Sequence, residues 1–260
     1  MAGGGATPGE QRPGELRPGE LRVVGTSVAR EIDLMFDRVA QSVGRRAPRV
    51  LQVGSRTLVA DRNVRNWRKL VATRFGPKAR FVGLDLVEGA NVDCVADICS
   101  DRRSLKAKLG DEPFDLAICC HLLEHTRHPA RAARNIEEAL RPGGLVFVAA
   151  AWSQAFQATP DDYWRFSVRG LMLLFGQIEI ASAFYSGGDV GLDVAYRIER
   201  DGRPELDPRA GAVEQGLFQV VLDHEDNRAV LARQATERLP VSRTYLPSLF
   251  VNLVGRRVSQ

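Results

Sequence analysis

Apolar residues along this chain fall into two alternating periods, and the alternation predicts its elements. Between Thr26 and Arg46, Ile32, Met35, Phe36, Val39 and Val43 recur at helical spacing, which predicts an amphipathic helix. "RVLQV" (49–53) then reads as a strand, Val64, Trp67, Val71 and Phe75 as one face of a helix, and "RFVGLD" (80–85) as a second strand. "VDCVAD" (92–97) is a short strand and "LKAKLG" a short helix. "FDLAICC" (114–120) is a strand, and "PARAARNIEEAL" (129–140) is a helix stopped by "RPGG". "LVFVAAAW" (145–152) is a further strand. The strands are nearly continuous in apolar character, as in a parallel sheet covered on both faces.

The rhythm changes after Trp152. "VRGLMLLFG" (168–176) predicts a helix, "QIEIASAF" (177–184) a strand, and "SLFVNLVGRRV" (248–258) a last strand. Residues 186–240 are less regular, with a helix predicted at Asn227–Leu239. If the last two strands pair, the segment at about 186–247 is an insertion too long for a hairpin loop. It suits a lid, a substrate wall or a subunit contact, and a homodimer is one assembly it could serve. At the other end, residues 8–22 repeat "PGEQR", "PGELR", "PGELR". Pro-Gly pairs block both helix and sheet, so residues 1–25 read as a flexible arm and 26–258 as one domain.

Composition narrows the class. The 260 residues are 44% hydrophobic and 26% charged, ordinary for a globular domain. No stretch is apolar enough for a membrane span or a secretory signal, so a cytoplasmic protein is expected. The net charge of +4 does not mark a nucleic-acid binder. All the basic residues but Lys69, Lys78, Lys106 and Lys108 are Arg, scattered among acids with no aromatic interleaving. Cys94, Cys99, Cys119 and Cys120 form no metal spacing, and most lie in apolar strands where Cys packs as a small hydrophobe.

In an open α/β sheet, ligands bind beyond the carboxyl ends of the strands. The residues there are Gly54-Ser55-Arg56, Asp85-Leu86, Asp97-Ile98 and His121-Leu122-Leu123-Glu124-His125. An acid such as Asp85 can accept hydrogen bonds from both ribose hydroxyls. Asp97 followed by Ile98 could meet an adenine amine and pack on its ring. These are adenosine contacts, with no second nucleotide and no pyrophosphate cradle. His121-x-x-Glu124-His125 also matches an inverted zinc-peptidase motif. Zinc would need a third ligand and a helix presenting both histidines, whereas this motif follows a strand and precedes Pro129, so no metal is expected.

In their order and spacing, "VGSR", "GLDLVEGANVDCVADI", "FDLAICCHLLEH", "LRPGG" and "PDDYWRFS" resemble class I S-adenosylmethionine-dependent methyltransferases. The likeness covers about residues 45–184 plus the last strand. It is closest to a bacterial small-molecule group with a Gly-Ser-Arg first loop and a PxDYWRF motif. The resemblance implies a Rossmann-like, doubly wound, mostly parallel seven-stranded sheet with helices on both faces and an antiparallel last strand. It implies S-adenosyl-L-methionine as cofactor, held by Gly54, Ser55, Arg56, Asp85, Leu86, Asp97, Ile98 and His121. Ser55 and Arg56 would offer amide, hydroxyl and guanidinium groups to the methionine carboxylate.

Methyl transfer from a sulfonium is an in-line displacement, so the protein supplies mainly alignment and an acceptor in nucleophilic form. Candidate bases, in order, are His121, Asp162, His125 and Tyr163; a carboxylate acceptor would need none. A plainer reading of "PDDYWRFS" is a buried aromatic corner in which Trp164 and Phe166 pack and Asp162 pairs with Arg165. The leading expectation is O- or N-methylation of a small molecule, with a secondary metabolite or a sugar as the acceptor. The competing expectation is a non-catalytic binding or assembly protein on a cofactor fold. A nicotinamide dehydrogenase is disfavoured because the G-x-G-x-x-G turn is absent.

Overall fold

A computed structural model describes residues 22–26, 28–57, 65–154, 156, 157, 160–187, 195–199 and 249–258. In chain order the elements are β1 (Arg22–Thr26), α1 (Val28–Val43), β2 (Arg49–Val53), α2 (Trp67–Phe75), β3 (Arg80–Asp85) and β4 (Cys94–Val95). There follow α3 (Arg102–Leu109), β5 (Phe114–Cys120), a 3-10 turn (Leu123–His125), α4 (Pro129–Ala139), β6 (Leu140–Ser153) and α5 (Val168–Leu174). The last strands are β7 (Ile178–Gly187), β8 (Ala195–Glu199) and β9 (Leu249–Arg257).

The strands form one sheet in the order β1-β8-β7-β9-β6-β5-β2-β3-β4. β3, β2, β5 and β6 run parallel to their neighbours, with β4 joining β3 in the same sense. β9 lies antiparallel between β6 and β7. The seven strands from β7 to β4 are the expected mixed sheet with its antiparallel last strand. Two further strands widen it: β8 pairs with β7, and β1 pairs with β8. The sheet therefore begins inside the stretch assigned to the arm and reaches into the expected insertion. The rest of the arm, most of the insertion and the helix predicted at Asn227–Leu239 lie outside the described residues.

Side-chain alternation sorts the core. On β5, Leu116 and Ile118 face α1 and α2, packing with Ile32, Met35, Phe36, Val39, Trp67 and Val71. Ala117 and Cys119 point the other way, toward Leu105 of α3, Ala133 and Ile136 of α4, and Leu171 of α5. This period of two, with both sets buried, is why the strand reads as continuously apolar. Helix starts are set locally. The side chains of Asn66, Asp101 and Ser167 accept the amides of Lys69, Ser104 and Gly170, and Pro129 opens α4.

The amino-terminal edge of the sheet is tied by charge. Buried Asp115 accepts hydrogen bonds from the Arg46 guanidinium, the Arg49 amide (2.8 Å) and Arg141 Nε (2.6 Å). Burial alone would raise its pKa, but these donors hold it below the ordinary carboxylate value. Among the described residues, no helix is long and apolar enough to cross a membrane.

Candidate active site

The chain runs from β2 to β3 on one side and returns to β5 on the other, so strand order reverses between β2 and β5. Gly54 follows β2 and His121 follows β5, and they flank that switch point. Register carries the same line outward. Val53 pairs with Leu84 and with Cys119, while Asp85 pairs with Val95. Gly54, Asp85, Asp97 and His121 thus stand along one carboxyl edge, on strands spaced about 4.8 Å apart.

The loop after β2 is more self-contained than its sequence suggested. Gly54 N and Ser55 N both donate to Leu84 O (2.9 and 3.1 Å), Arg56 N to Asp85 Oδ2 (2.9 Å), and Thr57 N to Ala90 O (3.1 Å). No amide in this run is left to bind a carboxylate. Ser55 is buried, and its hydroxyl lies under Gly83, where an added Cβ would meet it at 2.7 Å. It is not presented outward. The Arg56 side chain runs alongside Gly89. Of the donors expected from Ser55 and Arg56, only this guanidinium remains available.

Gly54 has a local reason to be glycine. Its φ is +74°, and a Cβ there would stand 2.9 Å from Leu122 Cδ1. Leu122, unmarked in the sequence, plugs the switch point from the β5 side.

The adenosine half of the expected cofactor fits better. The Asp85 carboxylate accepts the amides of Arg56 and Val87, leaving about half of its four acceptor positions for ribose hydroxyls. Leu86 and Val87 beside it are 63% and 51% exposed, an apolar platform on the site edge. Asp97 is exposed, with Oδ1 accepting Cys99 N (2.7 Å). Ile98 does not match its expected role on an adenine ring. It is buried in the α3–α4 core, and Asn135 Nδ2 donates to its carbonyl.

The two late motifs form one unit. Glu124 O accepts the amides of Tyr163 (2.8 Å) and Trp164 (3.3 Å). His125 Nδ1 donates to Asp161 O, and Trp164 Nε1 donates to Thr126 O (2.8 Å). Tyr163 OH accepts from Arg127 Nε (2.9 Å) and donates to Asp161. Residues 161–164 are thereby zipped onto 124–127, over the carboxyl end of β5.

Asp162 is a brace within this unit. Both its oxygens are bound by Arg165 and Oδ2 also accepts Gln157 N, which holds its pKa down to about 2. A carboxylate so acidic is a weak proton acceptor. Trp164 is 43% exposed, so it does not pack as the buried corner expected of it, although Phe166 does.

His121 is the exposed group at the switch point. Its φ is +53°, its amide donates to Ala149 O, and its ring meets Phe250 edge-on at 4.3 Å. Phe250 belongs to β9, far away in sequence, and only the antiparallel insertion of that strand brings it here. Two clefts at the opposite edge, one of about 250 Å³ near Phe114 and Arg257, touch none of these residues.

A methyltransferase-domain family model matches residues 26–184. The chain belongs to the methyltransferase family. With the seven-strand order it is a class I S-adenosylmethionine-dependent methyltransferase. Solved structures with similar folds include the N-methyltransferase NodS of Bradyrhizobium japonicum, in complex with S-adenosylhomocysteine. It is 15% identical, covering 68% of this chain and 87% of that one, at a TM-score of 0.41. Another is the 1,6-didemethyltoxoflavin-N1-methyltransferase of Burkholderia thailandensis, at 16% identity, 65% and 80% coverage and a TM-score of 0.43. A third is the [4+2]-cyclase SpnF, at 18% identity, 90% and 85% coverage and a TM-score of 0.45. No curated protein matches the chain.

Proposed function

We propose that this methyltransferase acts on an oxygen or nitrogen of a small molecule, tailoring a secondary metabolite or a sugar. The observation that carries the reading is His121, a half-exposed imidazole held at the switch point beside the Gly54–Asp85 edge. The cofactor, when bound, supplies an electrophilic methyl group. Asp85 binds its ribose hydroxyls, Leu86 and Val87 cover its apolar face, and the Arg56 guanidinium pairs with its carboxylate. His121 takes the acceptor's proton. The unit of residues 161–164 walls the acceptor side, with Tyr163 and His125 lining it and Asp162 fixing its shape.

Calorimetry with S-adenosylhomocysteine tests the cofactor assignments. Asp85→Ala should weaken binding by about tenfold or more, the scale of losing a charge-assisted hydrogen-bond pair. Unchanged affinity would remove Asp85 from the site. Labelled methyl transfer into metabolite fractions then tests the acceptor class; a product methylated on a protein or a nucleic acid would overturn it.

A further inference from the structure

Glu124 sits one turn beyond His121 and is 1% exposed, yet neither carboxyl oxygen has a hydrogen-bond partner among the described residues. A buried polar group left in that state costs about 1–3 kcal/mol. The Arg165 guanidinium, which also feels the Glu124 charge, is bound to both oxygens of Asp162, while His121 Nδ1 lies 3.7 Å from Glu124 Oε1. That is beyond hydrogen-bond range but within a small rotation of the ring. The other histidine of the motif is engaged elsewhere, His125 Nδ1 being bonded to Asp161 O. The Glu124 backbone is itself fixed by the amides of Tyr163 and Trp164. The left-handed backbone of His121 is a separate cost, carried by few non-glycine residues, and it sets the ring between Glu124 and Phe250.

We propose that Glu124 is a positioning residue that accepts the Nδ1–H of His121, leaving Nε2 as the proton acceptor for a hydroxyl or ammonium substrate. The inference rests on the methyltransferase reading of this face and narrows it. An acceptor lone pair forms the new bond to the methyl carbon, and the pair of the broken carbon–sulfur bond stays on sulfur. The acceptor's proton passes to Nε2, and Glu124 holds the resulting imidazolium in place. Such a dyad has no use for a carboxylate acceptor, which carries no proton to remove.

The test is the tautomer of His121, read by long-range nitrogen–proton NMR on protein labelled with 15N-histidine and assigned with His121→Gln. The wild type should carry the proton on Nδ1. Glu124→Met, near in size but without an acceptor, should lose that signal, and Glu124→Gln, which keeps an acceptor oxygen, should retain it. Once an acceptor is in hand, Glu124→Met should lower kcat by about 100-fold with the KM for S-adenosylmethionine unchanged. A wild-type His121 protonated on Nε2 overturns the proposal, even if Glu124→Met fails to fold. So does a tautomer unchanged in a folded Glu124→Met. Failure of S-adenosylhomocysteine to bind the wild type would instead strike the cofactor reading, and the tautomer would still be readable.

Discussion

Replacing Gly54 with alanine tests whether this glycine serves the protein's own packing or only the cofactor. At φ +74° the left-handed backbone costs an alanine about 1–2 kcal/mol. The new methyl would also stand 2.9 Å from Leu122 Cδ1 and 3.3 Å from Leu122 Cβ. Inserting a methyl into a packed site costs about 1–3 kcal/mol, and the lower end applies because Cδ1 is a side-chain end that can turn. The expected loss is therefore about 2–3 kcal/mol, read as a lower urea midpoint in the absence of cofactor. Shortening the neighbour separates the two parts. In Gly54→Ala with Leu122→Ala, the steric share should return as a favourable coupling of about 1 kcal/mol, while the backbone share persists. A Gly54→Ala protein as stable as the wild type refutes the packing argument. Strict additivity of the two substitutions refutes the Leu122 contact as its cause.

Other consequences follow from buried charge and burial itself. Asp115→Ala should cost about 3–5 kcal/mol in urea unfolding, because it strips the shared acceptor from Arg46, the Arg49 amide and Arg141. Asp162 titrates near 3.9 when unfolded and at about 2 when folded, so its clamp is complete above the first value and lost as pH falls through the second. The difference in urea midpoint between wild type and Asp162→Asn should then be flat from neutral pH down to about 5 and shrink toward pH 2. A difference that grows on acidification contradicts the assignment. Burial pushes the Cys120 thiol up to about 12 and that of Cys119 well above its ordinary value. Cys94 and Cys120 are both half-buried, but the Cys120 thiol is held much the higher, so iodoacetamide at pH 8 should label Cys94 first in the native protein and leave Cys119 and Cys120 unmodified, as mass spectrometry would show.

The parallel half of the fold was readable because its signals are local. Ile32, Met35, Phe36 and Val39 share one helix face, and β5 and β6 are apolar on both faces, so burial and period agree. Loop chemistry was less readable. Ser55 and Arg56 looked like outward donors, but hydrogen bonds to Leu84 and Asp85 decide where their amides point, and those partners come from the next strand. Ile98 read as a ring contact because it is an apolar residue directly after the acid Asp97; a single residue of register put it in the core instead. Leu122, Glu124 and Phe250 gain meaning only from tertiary placement. The signal for Glu124 was its place in His121-x-x-Glu124-His125, which said nothing of its burial, and for Phe250 there was none short of the sheet order. β1 and β8 escaped notice because an edge pair of five-residue strands carries little periodicity.

The place of β9 also sets an order of assembly. β6 and β7 do not bond to each other; β9 fills the gap between them, arriving after residues 188–248. During synthesis both strands must wait with bare edges facing one another. The chain cannot seal its sheet, or bring Phe250 against His121, until that late segment leaves the ribosome. Long-range pairing of this kind folds slowly and leaves strand edges open to neighbouring chains. A protein truncated before Leu249 should therefore aggregate rather than persist as a smaller, inactive domain.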